Sequence, residues 1–227
     1  MSSKVCEGVY LVGGSDLSDD RDCLVYLVDL GDLVLVDCGA GPGWPRIRDN
    51  ILSAGFNPDH IHTLILTHGH VDHIGAARQV KEETRCRLVA HAEDAPFIES
   101  GEPAFTASGW YGIKLKKIKL DKIIIGKGEK LRFAGGELEL IHTPGHTPGS
   151  MVALLEAGGK RVLFGQDIHG PFDPSFKSDL NDWRISMQKI LELKADILCE
   201  GHFGIYQPAE SVNKYIKGYL NTYKHRG

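Results

Sequence analysis

The first third of the chain alternates short apolar runs with turn residues. Residues 9–12 (VYLV), 23–28 (CLVYLV) and 33–36 (LVLV) are rich in β-branched and aromatic side chains, and glycine and aspartate separate them. Runs of this kind predict strands, with Asp29-Leu30-Gly31-Asp32 as the hairpin turn between the last two. After the glycine-rich loop 37–41 (DCGAG), Ile47, Ile51 and Leu52 recur at helical spacing and predict a helix over 44–54, closed by Gly55 and Pro58. A strand at 63–66 (TLIL), a helix to about residue 84 and a strand at 87–91 (RLVAH) follow. Residues 92–122 lose this regularity. Their lysines (Lys114, Lys116, Lys117, Lys119, Lys122) interleave with Ile113, Leu115, Ile118 and Leu120, which fits an amphipathic strand with a solvated face as well as a patch attracting an anionic substrate. Strand patterning returns at 123–125, 131–133, 138–142, 151–155 and 161–164. A helix over 182–194 carries Trp183, Met187, Ile190 and Leu191 at helical spacing, and a strand at 196–198 follows. The last helix opens at Pro208, with Val212, Ile216, Tyr219 and Tyr223 as a core-facing stripe.

Each half of the chain thus runs strands, then a helix, then a further strand. That order predicts an α/β fold of two similar β-layers packed together with helices outside. No repeat, low-complexity segment or linker interrupts it, so residues 1–227 read as a single domain. Composition then narrows the function classes. A net charge of -4 gives no basic field for nucleic acid. The apolar runs are strand-sized, far short of the ~20 residues of a membrane span. The first residues (MSSKVCE) lack the apolar core of a signal peptide. The five cysteines (Cys6, Cys23, Cys38, Cys86, Cys199) are scattered, without a CxxC pair, which argues against a disulfide framework and for a reducing cytoplasm.

The chemistry is concentrated where strands end. "THGHVDH" at 67–73 puts His68, His70, Asp72 and His73, all metal-ligand types, on a strand-to-helix loop. Three more stretches repeat the device: "HTPGHTPGS" carries His146, "LFGQDIHG" carries Asp167 and "ILCEGHFG" carries His202. Glycines beside these residues let the backbone turn sharply and approach closely. Ser150 and Cys199 have no neighbouring base, so nothing points to a covalent nucleophile. His60, His62, His91, His142 and His225 read as structural or surface residues, while His169 lies two residues past Asp167, within reach of the same loops.

These motifs resemble those of the metallo-β-lactamase superfamily: "THGHVDH" matches its HxHxDH signature, "LVLVDCGAG" its early strand and aspartate-glycine loop, and "HTPGHTPGS" its third-histidine motif. The resemblance spans nearly the whole chain. It implies a four-layer αββα sandwich, two mixed sheets with helices on the outer faces, and a two-metal centre at one edge. On that pattern His68, His70 and His146 bind one ion, Asp72, His73 and His202 the other, and Asp167 bridges. Asp37 corresponds to a residue that orients a ligand by hydrogen bonding. Imidazole and carboxylate donors suit zinc, two ions per chain, with Fe or Mn as alternatives.

The expected activity is a metal-dependent hydrolase of the glyoxalase II-like branch. It would use a metal-bound hydroxide, with Asp72 in the catalytic centre, on a small thioester, ester or lactone. The length leaves no room for the extra domain of the RNA-processing branch or for a flavin domain. Only about 25 residues follow His202, without the basic motifs that contact glutathione in true glyoxalase II enzymes. The alternative is a mononuclear iron oxidoreductase of the persulfide dioxygenase type, using His68, His146 and Asp167. A metal-bound protein without catalysis is disfavoured, because structural zinc needs only four closed ligands. The expected partner is a small-molecule substrate, with neither nucleic acid nor membrane, and a homodimer is the candidate assembly. Phe172, Phe176, Lys177, Trp183 and Arg184, and Phe105, Trp110 and Tyr111 from a lid-like segment, are candidates to line the cleft, although helix packing is the preferred role for Trp183.

Overall fold

The computed structural model describes residues 2–224; His225, read above as structural or surface, lies outside them. The first sheet contains β1 (Ser3–Cys6), β2 (Val9–Gly13), β3 (Val25–Asp29), β4 (Leu33–Val36), β5 (Ile61–Ile65), β6 (Arg87–His91) and β7 (Lys122–Ile124), neighbours in that order. Its first four strands are antiparallel, and β4 to β7 are parallel. The second sheet contains β8 (Gly128–Phe133), β9 (Gly136–His142), β10 (Met151–Ala157), β11 (Lys160–Gln166), β12 (Ile197–Glu200) and β13 (Ile205–Tyr206), also neighbours in chain order. Only β11 and β12 are parallel there. The helices are α1 (Trp44–Ser53), α2 (Val71–Ile74), α3 (Ala77–Thr84), α4 (Ala95–Ser100), α5 (Leu180–Glu192) and α6 (Ala209–Thr222). The two halves share one device. A helix, α1 or α5, carries the chain from one strand to its parallel neighbour, and both crossovers deliver loops to the carboxyl ends of those strands.

Three apolar clusters make the layers an αββα sandwich. Val28, Val34, Val36, Ile65 and Val89 of the first sheet meet Leu138, Leu140, Met151, Val162 and Phe164 of the second. The other face of the first sheet (Leu27, Leu35, Leu64, Leu88) packs on Trp44, Ile47, Ile51 and Val80 of α1 and α3. That of the second (Val152, Leu154, Leu163, Leu198) packs on Trp183, Met187, Ile190, Val212 and Ile216 of α5 and α6. Central strands buried on both faces read as unbroken apolar runs rather than as alternation, which is why 33–36 was legible as a strand of the right length. Each such side chain contributes roughly 1.5–3 kcal/mol by leaving water.

Several boundaries differ from the sequence expectation, for identifiable reasons. The strand expected from Cys23 begins at Val25, because Cys23 N–H donates to the Asp72 carbonyl and Leu24 N–H to that of Gly201. The lead-in residues thus tie together the two loops that carry ligand types. Leu52 is 55 % exposed, so the buried stripe of α1 is Trp44, Ile47 and Ile51. The irregular region contains α4, and the lysine-rich segment forms no strand before Lys122, where β7 opens. The segment crosses outside α3, where Arg78 and Lys81 side chains donate to the carbonyls of Lys117 and Lys119. The last helix starts at Ala209, with Pro208 as its cap.

The helix expected after "THGHVDH" breaks into α2 and α3 at Gly75, and the break has a packing cause. A Cβ on Gly75 would lie 2.1 Å from the Ala40 carbonyl oxygen, a backbone atom that cannot swing away. Gly75→Ala should therefore lower the melting temperature by roughly 2–12 °C, the effect of an overpacking cost of about 1–3 kcal/mol. A thermal melt matching the wild type would show that the Asp37 loop and α2 are not packed this closely.

Candidate metal centre

All the loops carrying ligand types gather at one edge of the two sheets, outside the carboxyl ends of β4, β5, β9, β11 and β12. This is the usual position of a site in a parallel sheet, where the chain leaves the ladder with free backbone groups. Asp37, at the end of β4, has φ 59°, and Gln166, at the end of β11, has φ 45°. Both strands thus leave their sheets through a left-handed residue, and strain of this kind is held where surrounding structure enforces it. His70 caps the short helix α2, whose first turn supplies Asp72 and His73.

The side chains form two groups sharing one carboxylate. His68, His70, His146 and Asp167 offer ligand atoms all within 4.8 Å of one another, and so do Asp72, His73 and His202. The Oδ2 atom of Asp167 faces the first group, 3.4 Å from His146 Nε2 and 3.9 Å from His68 Nε2. Its Oδ1 atom faces the second, 3.1 Å from His73 Nε2 and 3.3 Å from His202 Nε2. Asp72 Oδ2 lies 3.2 Å from His202 Nε2.

The donor set fits cations. His73 Nδ1 is 2.7 Å from Asp37 Oδ2, and His146 Nδ1 is 2.9 Å from the Pro171 carbonyl oxygen. An Nδ1–H donating to each acceptor leaves the Nε2 lone pair aimed inward, the arrangement that prepares imidazole as a ligand. Buried His68 Nε2 and Asp167 Oδ1 lack a hydrogen-bond partner, and the Nε2 atoms of His73 and His202 point at each other across 3.3 Å. Buried polar atoms are rarely left so, and a metal ion satisfies them together.

Electrostatics divides the groups. Burial pushes His70 down to about 4, His146 to about 3 and His68 well below the usual imidazole range, so these three rings are neutral at neutral pH. Burial also opposes the cation of His202, yet the Asp167 carboxylate beside it raises that ring to about 10. For His73, burial again lowers and neighbouring anions raise, with a net rise. A Cys23 thiolate is not among those anions at neutral pH, because burial pushes that thiol up to about 12; Asp167, Asp37 and Asp72 remain. The second group is therefore a buried anionic pocket that draws positive charge, whether as protons or as a metal ion.

Two buried carboxylates that escaped the sequence reading support the loops. Asp94 accepts from Gly69 N–H (2.9 Å), the Thr147 hydroxyl (2.7 Å) and Gly149 N–H (2.7 Å), tying the "THGHVDH" loop to the "HTPGHTPGS" loop. Glu200 accepts from His202 N–H (2.6 Å) and Phe203 N–H (2.8 Å) and lies 2.8 Å from His169 Nδ1. A lone Asp or Glu in sequence carries no signal of the backbone groups it will meet. For Glu200 the one hint was its place in "ILCEGHFG", between a strand and two glycines.

A cavity of about 360 Å³ opens over both groups, lined by Tyr111, Trp110, Phe176, His169 and Phe203 among others. The remaining cleft candidates lie elsewhere. Phe105 is buried under Gly69, and Phe172 packs against Trp183 and Tyr223. Lys177 sits over the Phe97 ring. Trp183 is core, its indole N–H donating to the Ile168 carbonyl, and Arg184 donates to Asn181 and to the Tyr223 carbonyl. Burial raises the Tyr111 phenol, as does the charge of nearby Asp72, so it stays a donor facing the cavity. The Ser150 hydroxyl is engaged with Thr147, and burial holds the Cys199 thiol far above neutrality. Neither is an activated nucleophile.

The comparisons with known proteins agree with this fold. A sequence profile described as the metallo-beta-lactamase superfamily matches residues 18–202, and the chain belongs to that superfamily. It is 32 % identical over 149 residues to the hydroxyacylglutathione hydrolase GloC of Haemophilus influenzae, covering 65 % of this chain and 66 % of that one, just under two thirds of its length. It is 26 % identical over 183 residues to the probable metallo-hydrolase YybB of Bacillus subtilis, covering 78 % of each. In structure it is similar to the metallo-beta-lactamase GOB-18 of Elizabethkingia meningoseptica (TM-score 0.80, 24 % identity, 98 % of this chain and 92 % of that one). It is likewise similar to BJP-1, a subclass B3 metallo-beta-lactamase of Bradyrhizobium japonicum (TM-score 0.81, 23 % identity, 98 % and 92 %). At these identities the structural likeness establishes the fold. Among the described residues no helix is long and apolar enough to cross a membrane.

Proposed function

We propose that this chain is a single-domain, cytoplasmic hydrolase that binds two divalent transition-metal ions and cleaves a small thioester, ester or lactone. Zinc is the first candidate metal, with Fe or Mn as alternatives. One observation carries the two-ion reading: the oxygens of Asp167 face separate ligand groups, Oδ2 the His68–His146 side and Oδ1 the His73–His202 side. In it His68, His70 and His146 hold one ion, Asp72, His73 and His202 the other, and Asp167 touches both. When bound, two such ions supply Lewis acidity toward an acyl oxygen and lower the pKa of water.

The chain's own residues supply the rest. The buried loops exclude bulk water from one side of the site, and the cavity admits substrate from the other. Tyr111, kept protonated, offers a hydrogen bond to the acyl oxygen. Asp72, which lines the cavity floor, takes the proton released when water attacks the acyl carbon and returns it to the leaving oxygen or sulfur. The name of the Haemophilus influenzae relative supports an acyl thioester among the substrates, and five free cysteines, four of them buried, support a reducing compartment.

Elemental analysis of protein produced with zinc, iron and manganese available tests the reading, with two ions per chain expected. The loaded protein should hydrolyse several of a 2-hydroxyacyl thioester, an acyl lactone and an aryl ester, with phosphodiesters and RNA poorer. One iron per chain, with oxygen consumed on a persulfide, would instead assign the dioxygenase class. Efficient phosphodiester cleavage with no acyl hydrolysis would overturn the substrate class.

A second prediction isolates the Asp37–His73 contact. Asp37→Ala leaves His73 Nδ1 without its acceptor and Thr67 without its partner (2.7 Å). Metal affinity should fall about 10–100-fold, as when such supporting carboxylates are removed from histidine ligands. Competition with a chelator measures it, and unchanged affinity would remove Asp37 from the site.

A further inference from the structure

Three aromatic residues of the cavity wall, Trp110, Phe176 and Phe203, have no role in the hydrolytic chemistry. Trp110 is 64 % exposed and Phe203 57 %, and both line the cavity. The Trp110 ring lies 5.0 Å from Phe176, which lies 4.3 Å from His70, so one aromatic row runs from solvent to the first ligand group. A second runs from Phe203 to His169 (4.6 Å) and on to His202 (5.2 Å). The base of the Trp110 loop is held firmly: Val71 N–H donates to the Thr106 carbonyl (2.8 Å), and Trp110 N–H to that of Ala107 (2.9 Å). An indole kept in water by an anchored loop exposes apolar surface that a ligand can cover. Charge points the same way. Among the described residues no lysine or arginine lines the cavity, and its carboxylates are Asp72 and Asp167. An anionic carrier would find no lysine or arginine to pair with there.

We propose that Trp110 and Phe203, backed by Phe176, form an apolar clamp. It selects neutral esters and lactones bearing an alkyl or aryl arm over thioesters of anionic thiols. This rests on the hydrolase reading above and names the substrate class within it. An arm lying between the two rows leaves water as the acyl carbon reaches the metal side. Each buried methylene should then raise kcat/KM about threefold until the rows are covered.

Steady-state kinetics of the zinc-loaded enzyme on 4-nitrophenyl acetate, butyrate and octanoate reads that dependence, with an octanoate-to-acetate ratio of at least tenfold expected. Thioesters of one acyl group on N-acetylcysteamine and on glutathione isolate the charge of the carrier, and the neutral one should be preferred. Trp110→Ala and Phe203→Ala should each cut the octanoate-to-acetate ratio at least fivefold. A binding readout needs no turnover. Trp44 and Trp183 are fully buried, so Trp110 is the one tryptophan of three that a ligand can reach from solvent. Octanamide should produce a saturable blue shift in emission that Trp110→Phe lacks. A flat chain-length dependence unaltered in both variants, or a preference for the glutathione thioester, overturns the clamp and leaves the hydrolase reading intact. A saturable shift with no hydrolysis of any acyl compound keeps the clamp and removes the hydrolase.

Discussion

Asp167→Asn is expected to lower acyl hydrolysis on the order of 10³-fold and to leave less than two ions bound per chain. The carboxylate offers one anionic oxygen to each ligand group, at 3.1–3.4 Å from the nearest imidazole nitrogens. An amide of the same shape keeps one acceptor and replaces the other by an NH₂ group, which cannot ligate a cation. Whichever way it turns, one group loses its shared ligand, and a negative charge leaves a buried pocket that draws cations. A loss of ~4 kcal/mol in transition-state stabilisation corresponds to that rate effect. Initial rates at saturating zinc, with elemental analysis after dialysis, decide the matter. Wild-type rates with two ions retained would contradict the bridging role.

The largest expected effect on stability comes from a residue outside the ligand set. Asp94→Ala leaves the buried N–H groups of Gly69 and Gly149 without an acceptor and leaves the Thr147 hydroxyl only Ser150 Oγ, 2.9 Å away. Each unsatisfied donor costs about 1–3 kcal/mol. Partial relief by water entering the gap brings the total to about 3 kcal/mol, or a fall in melting temperature of roughly 10 °C for a chain this long. Those donors hold the loops of His68, His70 and His146, so the variant should also lose metal more readily. The pH dependence has a definite sign. Burial, opposed by the three hydrogen bonds, raises Asp94 from 3.8 to about 6. The folded chain then holds this proton over a range where the unfolded chain has released it. Asp94's share of stability therefore falls as pH rises from about 4 to about 6. Denaturant titrations of wild type and variant should differ in slope over that interval, and parallel profiles would show that Asp94 stays ionised throughout.

The order of the elements was legible in the sequence because both sheets are central layers. Strands such as 33–36 and 87–91 keep apolar residues on two faces, and a short run bounded by turns has few other ways to fold. His68, His70, Asp72, His73, His146, Asp167 and His202 were legible for a related reason. Each follows an apolar strand on a loop rich in glycine or threonine, a local pattern that survives without any knowledge of contacts. Which atoms meet was decided only in three dimensions. The division of Asp167 between two groups, the Asp37–His73 contact across 36 positions of chain and the supports from Asp94 and Glu200 depend on the sheets packing face to face with their crossover loops at one edge. The same holds for the cavity. Trp110, Phe176 and Phe203 lie on three separate loops, and nothing in their neighbours distinguished them from Phe105 or Phe172, which the packing consumed, whereas helical spacing already marked Trp183 as core. Local patterning determines where a strand ends and what side chain stands there, whereas long-range packing determines which of those side chains meet another and which meet water.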